Sequence, residues 1–164
     1  MDRQVTEVLR RFGRGAELCD RELLVSTLAA DAELDPGRAT EAWVAHSPLL
    51  IGRETIADIV LGMFAGRVET THTLVEPQVV IDGGRAHLRA LADVRHRLIT
   101  DRAVGVQLIY RYTTELVSTG SQWLLRRIDL ETVRYRGDPA AIYCRTPDRQ
   151  RSGQSILLRE KGIQ

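Results

Sequence analysis

Two long stretches of strand-type sequence, separated by a glycine turn, constrain the fold of this chain more than any other feature. Residues 73–81 form the first stretch, Asp82-Gly83-Gly84 is a signal for a tight turn, and residues 86–99 form the second. In the second stretch the even positions are apolar apart from one histidine: Ala86, Leu88, Ala90, Ala92, Val94, His96 and Leu98. Because side chains alternate between the faces of a strand, the pattern predicts a long antiparallel hairpin with His96 on the buried face and His87 on the solvent face.

Helical patterns precede this hairpin, and further strand patterns follow it. Apolar spacing predicts helices over residues 2–18, 21–28 and 56–64, and alternation predicts strands over 104–116 and 122–135. Residues 42–50 have extended character and would direct Trp43 toward a pocket, although Pro48 limits this segment to an edge strand or a loop. The order of elements predicts an α+β fold, a cone-shaped barrel with three N-terminal helices packed on a strongly curved antiparallel or mixed sheet.

The patterned segments define one domain. Residues 1–137 contain all of them, whereas residues 138–164 turn polar and loop-like and are expected to form a tail. In the last strand pattern, residues 122–135, both parities mix apolar and charged side chains, so alternation does not assign its inward face.

Composition and the absence of several motifs argue against some functional classes. With 23 basic and 22 acidic residues, the chain has a formal net charge of +1 and lacks the basicity typical of nucleic-acid-binding proteins. Cys19 and Cys144 are too few for a disulfide framework and lack metal-ligand spacing. The sequence contains no signal-peptide pattern, no apolar run of about 18 residues, no His-Glu-x-x-His motif and no Gly-rich phosphate loop. We therefore expect a cytoplasmic protein that uses no metal or other cofactor and binds neither nucleic acid nor membrane.

Several landmarks, in this order, resemble the nuclear transport factor 2-like superfamily, and in particular its SnoaL-like and scytalone-dehydratase-like branch. The resemblance covers about residues 1–136. It rests on Ala29-Ala30-Asp31-Ala32, Ile51-Gly52-Arg53-Glu54-Thr55-Ile56, Thr71-His72 and Gln122-Trp123-Leu124-Leu125. This fold hosts dehydratases, isomerases, cyclases, epoxide hydrolases and non-catalytic subunits, so the resemblance is more specific for fold than for chemistry.

The resemblance also implies a catalytic site. In the dehydratase branch one histidine enters the long hairpin and a second lies on its next strand, and these positions match His72 and His96. The family's carboxylate near the end of the first helix is usually an aspartate and corresponds here to Glu17, with Asp20 and Asp31 as alternatives. Without the resemblance, each histidine could equally be a hydrogen-bonded structural residue.

Further site residues follow from the same comparison. Ala16 occupies the position of a pocket tyrosine that helps to polarise the substrate carbonyl in scytalone-type enzymes, so Tyr110 or Tyr112 could take its place, with Trp43 as a further substrate contact. Related cyclases and epoxide hydrolases often carry an aspartate on the last strand, which corresponds to Asp129. Because relatives commonly dimerise, we also expect a homodimer.

These residues are suited to removing a proton from a carbon next to a carbonyl group. An imidazole titrates near neutral pH, and a carboxylate behind it fixes its tautomer and supports the imidazolium. We therefore expect a cofactor-independent dehydratase, isomerase or cyclase that acts on a small hydrophobic carbonyl compound, such as a polyketide-like intermediate of secondary metabolism. Two alternatives remain: an aspartate-based cyclase or epoxide hydrolase, and a non-catalytic ligand-binding or accessory subunit like the small subunits of ring-hydroxylating dioxygenases.

Overall fold

The computed structural model describes residues 2–41 and 47–144 and confirms the α+β fold class. The strands are β1 (Leu28–Asp35), β2 (Leu50–Ile51), β3 (Val68–Asp82), β4 (Arg85–Leu98), β5 (Gly105–Ser118) and β6 (Trp123–Gly137). They form one sheet in the order β2-β1-β6-β5-β4-β3, in which β1 runs parallel to β6 and the other neighbours are antiparallel. The sheet is therefore mixed, and its described strands do not close into a barrel.

The predicted helices correspond to three of those observed. The helices are α1 (Asp2–Leu18), α2 (Arg21–Ser26), α3 (Gly37–Thr40), α4 (Arg53–Phe64) and α5 (Pro139–Tyr143). Helix α1 packs on β3 and buries a stripe composed of Val5, Val8, Leu9, Phe12 and Ala16. Helix α2 begins after Asp20, whose carboxylate accepts a hydrogen bond from the backbone N–H of Leu23 at 3.0 Å, as the N-cap pattern predicts. Over the described residues, no helix is long and apolar enough to cross a membrane.

The segment between β1 and α4 differs from its prediction. Gly37–Thr40 forms a short helix after Pro36, at a position for which the apolar spacing predicts none. Of the predicted extended segment, residues 42–46, including Trp43, lie outside the described residues, residues 47–49 have no regular structure, and only Leu50–Ile51 pairs as an edge strand. The short strand agrees with the expectation that Pro48 restricts pairing here.

Two extra residues in β6 explain its mixed parity. The register with β5 changes from Leu116 opposite Leu125 to Glu115 opposite Arg127, so residue 126 has no counterpart on β5. It changes again from Tyr110 opposite Thr132 to Ile109 opposite Arg134, so residue 133 has none either. Each such bulge exchanges the inward and outward parity of the strand. Leu125 before the first bulge and Ile128 after it are both fully buried, although they are three residues apart.

The start of the predicted tail is helical, which corrects its interpretation as a loop. Asp138 caps α5 by accepting a hydrogen bond from the backbone N–H of Ala141 at 3.1 Å, and Pro139 occupies the first turn. Ile142 is buried against the rest of the domain. Helix α5 has five residues, which is too short for apolar periodicity to reveal it in the sequence.

Candidate active site

A cavity of about 420 Å³ lies between the helices and the inner face of the sheet. Its described lining is largely apolar and aromatic, with Phe12 from α1, Phe64 from α4 and Leu130 from β6 among the contributors. Five side chains with a polar ring also line it: His72, His96, Tyr110, Tyr112 and Tyr143. A volume of this size suits a small molecule, and the few polar groups would fix its orientation.

His72 faces this cavity from the edge strand β3. Gly13 of α1 leaves the space that the imidazole occupies, because a Cβ atom at position 13 would lie 3.2 Å from Cβ and 3.4 Å from Cγ of His72. The His72 side chain is only 15% exposed. The first helix thus passes directly over the ring and limits its movement.

Glu17 is the carboxylate that the fold brings to His72. Its Oε1 atom accepts a hydrogen bond from the His72 backbone N–H at 2.5 Å and lies 3.7 Å from His72 Nδ1, while Oε2 accepts one from Arg14 at 3.1 Å. The nearby imidazole contributes most to lowering the pKa of Glu17 to about 2, and the His72 backbone N–H and Arg14 add to this, against the opposing effect of burial. Glu17 is therefore ionised at neutral pH and can stabilise an imidazolium at His72.

The other candidate carboxylates lie apart from the histidines. Asp20 caps α2, and Asp31 lies 3.3 Å from Arg126. Asp129 accepts hydrogen bonds of 2.9 to 3.1 Å from Arg127 and is not among the described residues that line the cavity. Between its two bulges, from residue 127 to residue 132, the even positions of β6 point inward, so position 129 faces the opposite side of the sheet.

His96 lies deeper in the cavity than His72. It is 2% exposed, and its ring stacks on Phe64 with a centroid distance of 4.9 Å and an interplanar angle of 22°. The His72 ring meets it at a centroid distance of 6.2 Å, nearly edge-on. Burial, with a smaller contribution from His72, lowers the pKa of His96 to about 3. His96 is therefore a neutral imidazole at physiological pH, able to donate or accept a hydrogen bond but not to act as a cation.

Three tyrosines also line the cavity. The hydroxyl oxygens of Tyr110 and Tyr143 form a hydrogen bond of 2.9 Å, and the Tyr143 ring lies edge-on to His96 at a centroid distance of 5.6 Å. Burial raises the pKa of Tyr110 to about 12, against the lowering effect of the Tyr143 hydroxyl, and burial also raises the pKa of Tyr112 and of Tyr143. All three phenols stay protonated at neutral pH. Within the Tyr110–Tyr143 pair one hydroxyl group donates to the other, so one O–H of this pair is left to donate into the cavity.

Sequence reasoning places Tyr110 and Tyr112 near the site but misses Tyr143, because its segment has the composition of a tail. Helix α5 is fixed by Arg67, whose Nη2 atom donates a hydrogen bond of 2.5 Å to the carbonyl oxygen of Ile142. The assignment of Trp43 to substrate binding remains a prediction, since that residue lies outside the described ranges. Within residues 2–41 and 47–144, no group of three or more His, Cys, Asp or Glu side chains could hold a metal ion.

Solved structures of low sequence identity share this fold. One is a proposed scytalone dehydratase from Novosphingobium aromaticivorans, with 17% identity and a TM-score of 0.69, covering 83% of this chain and 86% of that chain. A second is the hexachlorocyclohexane dehydrochlorinase LinA-type3 from Novosphingobium barchaimii, with 13% identity and a TM-score of 0.68, covering 83% and 88%. A third is a proposed dehydratase of the NTF2-like family from Streptomyces avermitilis, with 17% identity and a TM-score of 0.67, covering 80% and 96%. At these identities the likeness shows the fold alone.

The sequence itself matches a known domain family. The profile of the SnoaL-like domain matches residues 2–129, which is most of the chain. No curated protein matches the sequence. The chain therefore belongs to the SnoaL-like domain family and has the nuclear transport factor 2-like fold.

Proposed function

We propose that the protein is a cofactor-independent lyase of the dehydratase type, in which His72 removes a proton from a carbon next to a carbonyl group of a small hydrophobic substrate. The observation that carries this proposal is the position of His72, which lines the cavity while its Nδ1 atom lies 3.7 Å from the ionised Glu17. A carboxylate on one side of an imidazole and a substrate-sized cavity on the other are what a general base requires.

His72 takes one proton from the substrate and returns it to the leaving group, while Glu17 remains ionised beside it. The neutral His72 ring takes the proton from the carbon, the electron pair of the broken C–H bond forms a C=C bond, and the C–O bond to the neighbouring hydroxyl group breaks. The imidazolium then returns the proton to the departing oxygen, so the products are water and the unsaturated carbonyl compound. Glu17 stabilises the charged ring between the two transfers.

The neutral polar groups of the cavity suit the substrate oxygens. As the proton leaves, negative charge develops on the carbonyl oxygen, and hydrogen-bond donors fixed in an apolar site stabilise it strongly. The hydrogen-bonded pair of Tyr110 and Tyr143 supplies one such donor, from the hydroxyl group that accepts within the pair, and His96 is a second candidate partner. The largely apolar lining supports a hydrophobic substrate, such as a polyketide-like secondary metabolite.

Isomerases and cyclases share the first step of this reaction. They differ in where the proton returns or which carbon the enolate attacks, and the same His72–Glu17 pair would serve them. The name of the dehydrochlorinase LinA-type3 describes loss of hydrogen and chlorine, another elimination on this fold. We place elimination first because one imidazole can both take the proton and return it to the leaving group.

The cavity also favours the catalytic proposal over the two alternative functions, an accessory subunit and an aspartate-based enzyme. A non-catalytic accessory subunit has no need of an open interior lined by two histidines, so the cavity favours the catalytic proposal. An aspartate-based mechanism through Asp129 gains no such support, because that carboxylate is occupied by Arg127 and lies outside the cavity lining of the described residues.

Exchange of carbon-bound hydrogen with solvent tests the proposal without a known product. The protein would be incubated in D₂O with a panel of small aromatic and alicyclic β-hydroxy carbonyl compounds, and deuterium uptake and dehydration would be followed by mass spectrometry. We expect uptake at the carbon next to the carbonyl, and we expect His72→Ala to lower the rate by about 10²–10⁴-fold. His87→Ala is the matched control, because His87 is exposed on the opposite face of β4.

The decisive comparison is between these two variants at equal stability, measured by melting temperature. If His72→Ala retains the wild-type exchange rate on a substrate that the protein turns over, His72 is not the base. If Asp129→Asn abolishes turnover while His72→Ala and His96→Ala both remain active, the aspartate-based mechanism replaces the one proposed here.

A further inference from the structure

Two neighbouring hydroxyl groups lie where α3 borders the cavity. Thr40, the last residue of α3, and Ser47, which precedes β2, both line the cavity, and their hydroxyl oxygens are 2.5 Å apart. Ser47 is only 8% exposed. The other described residues that positions 36–50 contribute to the lining are apolar: Pro36, Ala39 and Leu50. The hydroxyl pair is therefore a polar group in apolar surroundings, beside space that a ligand can occupy.

The hydroxyl pair lies across the sheet from the two histidines. Helix α3 packs on β6, where Thr132 Oγ1 donates a hydrogen bond of 2.6 Å to the carbonyl oxygen of Ala39. In the sheet, His96 on β4 is two strands away from β6, and His72 on β3 is three strands away. Because neighbouring strands lie about 4.8 Å apart, roughly 10–14 Å of sheet separates β6 from the strands that carry the histidines. A ligand that reaches both ends needs two polar groups with an apolar body between them.

The pair leaves Ser47 able to accept a further hydrogen bond, whichever hydroxyl group donates. If Thr40 donates to the carbonyl oxygen of Pro36, which lies 3.2 Å away, Ser47 donates to Thr40 and keeps both of its lone pairs. If Thr40 donates to Ser47 instead, the Ser47 oxygen keeps one lone pair and its own hydrogen. A ligand hydroxyl group fits both arrangements, because it can donate and accept, whereas a carbonyl or ether oxygen fits only the second.

We propose that Ser47 is a specificity-determining residue, which accepts a hydrogen bond from a hydroxyl group at the end of the substrate remote from its carbonyl group. A contact this far from the reacting carbon would fix the position of the substrate along the cavity and hold that carbon against His72. The inference deepens the proposed function by naming the substrate class, a hydrophobic carbonyl compound with a distant hydroxyl group. Only the placement of the carbonyl group beside the histidines rests on that proposed function.

Two ketones that differ by one hydroxyl group test this subsite without turnover. The probes are para-hydroxybenzylacetone and benzylacetone, and in the first of these the phenol and the carbonyl group lie at opposite ends of the molecule. Protein-observed NMR titration would measure the affinity of each probe for the wild-type chain. We expect the phenol to bind about three- to tenfold more tightly, as one hydrogen bond between neutral groups contributes.

Ser47→Ala should remove this preference and leave the affinity for benzylacetone unchanged. The variant should fold, because Thr40 keeps the carbonyl oxygen of Pro36 as an acceptor. Ser26→Ala is the matched control and should keep the wild-type preference. Ser26 is an exposed serine of α2 whose hydroxyl group donates to the carbonyl oxygen of Leu23 at 2.6 Å, and it is not among the described residues that line the cavity.

Tyr143→Phe tests the orientation of the probes. Its hydroxyl group belongs to the end of the cavity near His96, where the carbonyl group common to both probes is expected. The variant should therefore weaken the binding of both probes by the same factor. If it abolishes the preference for the phenol instead, the phenol binds at the histidine end and the proposal is overturned.

Two further results would overturn the proposal. The first is equal affinity of the wild-type protein for the two probes, which can be measured even if Ser47→Ala does not fold. The second is a preference for the phenol that persists in folded Ser47→Ala, as expected if the pair only ties the chain to α3. Failure of the catalytic proposal, seen as no deuterium uptake, would leave the difference in affinity between the probes in place, so the two failures are distinguishable.

Discussion

The carboxylate of Glu17 contacts both the backbone and the ring of His72. Oε1 accepts the His72 backbone N–H at 2.5 Å and lies 3.7 Å from Nδ1 of the same residue. Residues 17 and 72 belong to different elements, α1 and β3, so one side chain both joins the helix to the edge strand and sets the electrostatic environment of the imidazole. This double contact allows its structural and chemical contributions to be separated by mutation.

Glu17→Gln should impair catalysis more than it impairs folding. The amide oxygen can still accept the backbone N–H of His72, but the negative charge that supports an imidazolium is lost. We expect the exchange rate to fall by about tenfold or more, with Glu17→Asp retaining part of the activity because it keeps the charge. Glu54→Gln removes a charge from an exposed ion pair with Arg21 and is the control. Equal rates for Glu17→Gln and the wild type would contradict a role for the carboxylate.

As the pH is lowered, the free energy of unfolding should decrease first because of His96 and then, at lower pH, because of Glu17. The pKa of His96 is lowered from 6.5 to about 3, so the unfolded chain binds the proton more tightly and stability declines as the pH falls from about 6.5 toward 3. The pKa of Glu17 is lowered from 4.5 to about 2, so the stability that its carboxylate contributes is lost as the pH falls from about 4.5 toward 2. Each group changes the free energy of unfolding by at most about 1.4 kcal/mol per pH unit.

Urea denaturation at a series of pH values measures these slopes. His96→Phe keeps an aromatic ring against Phe64 but cannot titrate, so its stability should depend less on pH between about 6.5 and 4.5. The exposed His87→Phe should keep the wild-type slope. A wild-type slope in His96→Phe would mean that His96 is not held neutral by the fold.

Tyr143→Phe tests the link between α5 and the site. Removing its hydroxyl group leaves the buried Tyr110 hydroxyl group without this 2.9 Å partner and should destabilise the protein by about 1–3 kcal/mol. Turnover should fall as well, because one donor to the substrate oxygen is lost. Tyr135→Phe, at a residue 49% exposed on β6, is the control for thermal unfolding and exchange measurements. Unchanged rates in Tyr143→Phe would remove that hydroxyl group from the mechanism.

The alternation of apolar and polar residues correctly predicts the buried face of a strand where the pairing with its neighbours is uninterrupted. The buried position of His96 follows from the parity of residues 86–98 alone, because the ladder between β4 and both neighbours is continuous around it. The alternation fails to predict the faces of β6, because the unpaired residues 126 and 133 each exchange them, and nothing in the local sequence identifies these residues as bulges.

The site itself depends on contacts between distant segments. Family resemblance brings Glu17 and His72 together although 55 residues separate them. It gives no indication of Tyr143, whose position depends on a capped helix of five residues anchored by Arg67. The resemblance also assigns Asp129 to the site, but the bulge at residue 126 sets the parity there so that this carboxylate faces the opposite side of the sheet.

We expect the protein to form a homodimer through the outer face of its sheet. Val75 and Val80 on β3 and Val133 on β6 are 40%, 66% and 44% exposed, which leaves apolar surface on these strands for a second copy to cover. Light scattering at micromolar concentration should give twice the chain mass, and Val80→Glu should shift the population toward the monomer. A monomer mass for the wild type would contradict the expectation.

Gly13→Ala separates the position of His72 from the stability of α1. Alanine normally stabilises a helix interior by about 1 kcal/mol relative to glycine, but here its Cβ would lie 3.2 Å from Cβ of His72 and displace the ring. We therefore expect the melting temperature to change little while the exchange rate falls by about tenfold or more. Gly62→Ala in α4 is the control for stability, because its Cβ would meet nothing within 4 Å, and it should raise the melting temperature. If Gly13→Ala keeps the full exchange rate, the ring tolerates displacement by α1, and the fixed contact between the helix and His72 is not required for proton transfer.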